Sequence, residues 1–138
     1  MSSGLALQSE PAPIVACTVS SDIHHFGLLI EDMELALGES WGDLSFEDAR
    51  DFIRVLDPGG LEFICGAVRD TDEADLGRVG EVIHAAREQS IKVILIPENL
   101  STAGLRELLR LGADDFVPYP LADGALADAL AKARLPEP

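Results

Sequence analysis

The sequence predicts an α/β fold: a doubly wound, five-stranded parallel sheet in the order 2-1-3-4-5. Two observations carry that prediction. Short β-branched runs alternate with amphipathic helical patterns five times along the 138 residues, a rhythm that builds a parallel sheet with helices on its faces. The run at 61–68 is apolar except for Glu62, as expected of a central strand covered on both sides.

Each element has its own signal. Ile14 to Val19 is the first strand, and Ser20, Ser21 and Asp22 offer N-cap oxygens to a helix carrying Ile23, Phe26, Ile30, Met33 and Leu37 on one face. Gly38 closes that helix. A weak strand at Trp41 to Leu44 leads to a second helix, where Ser45 and Asp48 have capping-box-like spacing and Ala49, Phe52, Ile53 and Leu56 form the buried stripe. Asp57-Pro58-Gly59-Gly60 is a turn. After the central strand, Asp70, Asp72, Glu73 and Asp75 precede a helix striped by Leu76, Val79, Val82, Ile83 and Ala86. Ile91 to Ile96 is the fourth strand, and Ser101 caps a helix that turns Leu105, Leu108, Leu109 and Leu111 inward until Gly112 ends it. A strand at Asp115 to Val117 and a helix from about Ala122 to Ala133 complete the set. Residues 1–12 read as a mobile leader, 13–135 as one domain, and 136–138 as the start of a linker.

Composition narrows the function classes. A net charge of −15 repels nucleic-acid phosphates and anionic membrane, which leaves proteins as the expected partners. No segment approaches the ~20 apolar residues of a membrane span, so the chain reads as cytoplasmic, without membrane insertion. Cys17 and Cys65 sit inside apolar runs and read as small buried hydrophobes with reduced thiols. No Gly-x-Gly-x-x-Gly or Gly-x-x-x-x-Gly-Lys-Ser/Thr motif marks a cofactor or nucleotide cradle. His24 and His25 are adjacent and point to different sides of a helix, and His84 is distant, so no metal cluster is expected from them. The carboxylates from Asp70 to Asp75 read as a solvated helix start, with a relocated divalent-metal site as the alternative. Trp41, at an edge strand, reads as a packing residue.

Gly112 to Pro120, Gly-Ala-Asp-Asp-Phe-Val-Pro-Tyr-Pro, resembles the last-strand signature of response-regulator receiver domains, with Tyr119 in place of a phosphate-contacting lysine. That resemblance implies a flavodoxin-like, CheY-like fold with its site at the carboxyl ends of the strands around the first and third. Active receivers place an acidic pair after strand one, an acceptor aspartate at the end of strand three, a hydroxyl after strand four and lysine before proline after strand five. Carboxylates hold Mg²⁺, and metal and lysine offset phosphate charge. Here Ser20 and Ser21 stand at the acidic pair, Ala67 at the acceptor with Gly66 one residue before it, Pro97 at the hydroxyl and Tyr119 at the lysine. All five positions depart from the active pattern, so no catalytic, cofactor or metal residue is assigned. A second reading keeps a phosphoacceptor at a displaced carboxylate, Asp70 or Asp22, and a third gives the emptied pocket a small ligand.

In receivers the face of the fourth helix, fifth strand and fifth helix commonly mediates dimerisation and docking. Here it carries Arg106, Glu107, Arg110, Asp114, Asp115, Tyr119 and Lys132, mixed charge that suits complementary pairs across a twofold axis. Tyr119-Pro120 matches a bond that is cis in receivers, so a cis peptide is expected. The stretches 14–20, 28–34, 41–49 and 109–120 together resemble the amino-terminal domain of the CpaE/TadZ pilus-assembly proteins of alphaproteobacteria, over roughly residues 12 to 136. That family follows an atypical receiver with a MinD/ParA-like ATPase domain and helps place the Flp (tad) pilus secretion machinery, often at a cell pole. The resemblance implies a non-enzymatic interaction and localisation module here, the family's ATPase domain being absent from these 138 residues, with pilus-machinery proteins or a second copy as partners.

Overall fold

The computed structural model describes residues 14–56 and 60–134, so the expected leader, the linker start and all of the 57–60 turn but Gly60 lie outside the described residues. The sheet is parallel, with strand order β2-β1-β3-β4-β5. Its strands are β1 (Ala16–Val19), β2 (Trp41–Leu44), β3 (Phe63–Arg69), β4 (Lys92–Glu98) and β5 (Asp115–Phe116). The helices are α1 (Gly27–Leu37), α2 (Phe46–Arg54), α3 (Leu76–Glu88), α4 (Thr102–Leu111) and α5 (Ala125–Ala133), with 3₁₀ turns at Ile23–His25 and Asp70–Asp75. The predicted fold class and strand order are therefore those observed.

Alternation along β3 divides the core into two layers. Phe63, Cys65 and Ala67 meet Phe26, Leu29 and Met33 of the α1 segment and Leu126 and Leu130 of α5. Ile64 and Val68 meet Phe46, Ala49 and Ile53 of α2, Val79, Val82 and Ile83 of α3, and Leu108 of α4. Each fully buried large side chain contributes roughly 1.5–3 kcal/mol. Ser45 Oγ accepts the Asp48 N–H at 3.1 Å and Ser101 Oγ accepts the Gly104 N–H at 3.0 Å, so both predicted serine caps form. Gly112 ends α4 at φ +126, and a Cβ there would stand 2.2 Å from Arg87 Cδ, because Arg87 crosses that turn to donate to Gly112 O.

Three helical faces differ from expectation. Asp22 caps the 3₁₀ turn by accepting the His24 N–H, and α1 begins only at Gly27. The tighter 3₁₀ turn shifts the phase of the helix after it, so Leu29 replaces Ile30 as a fully buried residue of α1. In α2 the buried stripe is Phe46, Ala49 and Ile53, which leaves Phe52 one position off the face and 39% exposed. Leu111, expected inward, lies over Gly80 at the helix surface and is 40% exposed.

Both cysteines are buried and free. Burial pushes the Cys17 thiol up to about 11 and the Cys65 thiol up to about 12, so neither presents a thiolate near neutral pH. Native protein is expected to leave a thiol reagent such as Ellman's unreacted, with both thiols titrating once urea unfolds the chain. The folded state keeps thiol protons that the unfolded chain releases. Stability from this source is therefore complete below the ordinary thiol value of 9.0 and declines as pH climbs toward 11 and 12. Urea midpoints that stay level or rise across that window would contradict the assignment.

Candidate functional site

The carboxyl ends of the strands converge as the register dictates: Val19 opposes Gly66, Val68 opposes Pro97 and Arg69 opposes Glu98. Ser20 follows β1 and donates its backbone N–H to Leu44 O at 3.2 Å. Its side chain is buried, and its Oγ has no hydrogen-bond partner among the described residues. Ser21 is exposed and stands apart from the buried positions. Ala67 is fully buried on the α1/α5 side, and Pro97 is buried in β4.

Tyr119 reaches the same end from β5. Its N–H donates to Pro97 O at 2.9 Å, and the Tyr119-Pro120 peptide is cis, as expected. The ring meets Phe26 edge to face with centroids 5.0 Å apart and an interplanar angle of 76°. The phenol oxygen accepts the Leu28 N–H at 3.1 Å, satisfying one donor of the first turn of α1. The structure thus brings Ser20, Ala67, Pro97 and Tyr119 to one end of the sheet and fills the lysine position with a half-buried, hydrogen-bonded aromatic. Neither a carboxylate nor an ammonium stands among these four side chains.

Charge gathers instead at the rim, in a group that the sequence did not announce. Glu98 Oε1 lies 2.6 Å from His25 Nε2 and 3.5 Å from Arg69 Nε. The Arg69 contact is an ion pair without a hydrogen bond, since that Nε has no geometric partner. Arg69 and Glu98 are register partners at the tips of β3 and β4, a juxtaposition readable only once the strands are aligned.

Of the carboxylates after β3, Asp70 and Asp75 are exposed, as a solvated helix start would be, but Asp72 and Glu73 are bonded into the structure. Asp72 is 3% exposed and accepts the Arg69 N–H at 2.8 Å and Arg78 Nη2 at 2.8 Å. Arg78 in turn lies over the Phe46 ring, 5.0 Å from its centroid. Glu73 accepts the N–H and the hydroxyl of Ser101, at 2.5 and 2.8 Å, and these bonds hold its carboxyl below the usual carboxylate range. Asp70 and Asp22 are exposed and accept local backbone N–H groups, of Thr71 and His24. Among the described residues no three His, Cys, Asp or Glu side chains are grouped to hold a metal ion.

On the face of α4, β5 and α5, much of the expected charge is paired within the chain. Arg110 Nη2 binds both Glu107 oxygens, at 2.6 and 2.8 Å, and Lys132 lies 3.7 Å from Asp115. Asp114 accepts the Val93 N–H at 2.8 Å, a structural role. Arg106 has no ion pair among the described residues, and Phe116 is 38% exposed beside a groove of about 330 Å³.

Tyr119→Phe removes the acceptor of the Leu28 N–H and is expected to cost about 0.5–1.5 kcal/mol. Asp72→Ala strips two bonds from the β3 end and is expected to cost about 1.5–3 kcal/mol. Urea midpoints for the two variants check both values, and an Asp72→Ala protein as stable as the parent would show the carboxylate to be solvated.

No protein-family model matches the chain, and no curated protein matches it. Solved structures do. A CheY-like protein (tadZ) from Pseudomonas aeruginosa superposes with a TM-score of 0.66 at 15% identity, covering 87% of this chain and 98% of that one. A response regulator receiver protein from Pseudomonas putida gives 0.63 at 17%, covering 89% and 99%. The pilus assembly protein CpaE from Caulobacter crescentus gives 0.55 at 15%, covering 89% and 92%. With the strand order found here, these likenesses establish that the chain has the CheY-like receiver fold.

Proposed function

We propose that this chain is a receiver-like interaction module that works without phosphoryl transfer, serving pilus assembly as the amino-terminal domain of a CpaE/TadZ-type protein. The observation that carries the reading is Tyr119, seated on Phe26 and bonded to Leu28 where a receiver needs a cation. Beside it, Ala67 and Pro97 offer neither an acceptor carboxylate nor a hydroxyl. Superposition on a protein named for pilus assembly, and on one named tadZ, supports the biological setting, and the receiver fold itself is not an enzyme's signature. In that setting the module acts in the cytoplasm, at the pole where the machinery is placed, through contacts with other proteins. None of the described helices is long and apolar enough to cross a membrane.

The contact face is α4-β5-α5, used for self-association. Phe116 supplies an exposed apolar centre, and Arg106, Arg110, Glu107, Asp115 and Lys132 supply a charged surround. Arg110 is largely solvent-facing and Glu107 half-exposed, so their pairing within one chain is weak enough to be exchanged for a partner's.

Two measurements test the reading. Incubation with Mg²⁺ and acetyl phosphate is expected to leave the intact mass unchanged, whereas stoichiometric phosphate on Asp70 or Asp22 would establish the displaced-site alternative. Light scattering at high protein concentration is expected to show a dimer that Phe116→Glu and Arg110→Glu dissociate. A wild-type chain that stays monomeric would remove self-association from the proposal.

A further inference from the structure

The outward side of α1 is chemically unlike the rest of the surface. Leu28, Glu31, Asp32 and Leu35 recur at helical spacing on the side opposite the buried Leu29 and Met33. Leu35 is 85% exposed and Leu28 is 41% exposed, two turns apart along the helix. Next to them, Asp32, Leu35 and Ala36 of α1 face Gly124 and Ala127 across a groove of about 140 Å³. Small residues on the α5 side keep that groove open.

Its charge is uncompensated. The sequence contains no Lys or Arg before Arg50, so α1 carries Glu31, Asp32 and Glu34 without a cation of its own. The two cations of the α5 end, Lys132 and Arg134, pair elsewhere, with Asp115 and Glu62. Among the described residues none of Glu31, Asp32, Glu34 or Asp123 forms an ion pair. Burial and the neighbouring charges of Glu31 and Asp123 hold the Asp32 carboxyl above its usual range, the response of a carboxylate that lacks a cation.

We propose that this face of α1, with the groove beside α5, docks a basic amphipathic helix of a partner protein. Charge decides the occupant. Anionic lipid and nucleic acid are repelled, and a second copy of the same face would set carboxylates against carboxylates. A helix with apolar residues two turns apart and Lys or Arg between them matches Leu28 and Leu35 with apolar contacts and Glu31, Asp32 and Asp123 with cations. Val55, 81% exposed just past the end of α2 beside Arg54, offers exposure without this charge and serves as the control position.

The test is an NMR titration of the whole chain with a synthetic Leu/Lys helix of about sixteen residues, sized to span more than four turns. A scrambled isomer of equal charge runs alongside. Saturable shifts are expected at residues 28–36 and 123–127, weakened by salt. Leu35→Ser is expected to lower affinity about tenfold. Paired Glu31→Lys and Asp32→Lys are expected to lower it at least about as far, and Val55→Ser to leave it unchanged. Circular dichroism confirms that each variant is folded. Shifts centred elsewhere, equal binding of the scrambled peptide, indifference to Leu35→Ser, or no saturation would each overturn the proposal. Because Phe116 and Arg110 take no part, failure here is separate from failure of the α4-β5-α5 reading.

Discussion

The contact between Tyr119 and the start of α1 sets the character of the strand ends. The first turn of a helix presents unsatisfied N–H groups and a partial positive charge, which makes such places receptive to anions. Here the Leu28 N–H is taken by a neutral phenol, and the ring that carries it packs against Phe26. A lysine at the same position would bring an ammonium next to Ala67 and Pro97 with no carboxylate on either to balance it. Desolvating an unpaired charge costs several kcal/mol, whereas a neutral hydrogen bond contributes about 1. Tyrosine and a pocket without carboxylates are therefore mutually supporting: each makes the other tolerable.

Carboxylates have not vanished from this end of the molecule. They have moved outward and taken structural work. Asp72 ties the tip of β3 to α3 through the Arg69 N–H and Arg78, and Glu73 ties the same turn to the N-cap of α4 through Ser101. Glu98 joins the tips of β3 and β4 to the segment after β1 through Arg69 and His25. A loop that must move on phosphorylation has to exchange one set of bonds for another. These loops are bonded to one another already.

The sheet was legible in the sequence because its signals are local. β3 reads as central because the run at 61–68 is apolar except for Glu62, and Ser45, Ser101, Gly38 and Gly112 mark helix ends by chemistry that acts within a turn. Helical phase was legible less well. Leu29, Phe52 and Leu111 departed from the predicted faces, since a single 3₁₀ turn or one residue of offset rotates a stripe by about 100°. At the site, Tyr119 and Pro97 could be placed by spacing from their strands. The His25-Glu98-Arg69 group could not, because His25 meets a partner 73 residues away and nothing local to either residue encodes the meeting. Asp72 looked like an ordinary surface carboxylate for the same reason: its burial depends on Arg78 arriving from α3.

A receiver fold in which Ser20, Ala67, Pro97 and Tyr119 put only neutral side chains at the pocket positions should be unable to concentrate a divalent cation there. Paramagnetic Mn²⁺ added in small steps to isotope-labelled protein reports this directly, since amides within reach of a bound ion broaden first. The account predicts that resonances of Ser20, Ala67 and Tyr119 persist while those near exposed carboxylates fade gradually and without saturation. Early, saturable loss of those three signals, reversed by Mg²⁺, would show a working metal site and contradict it.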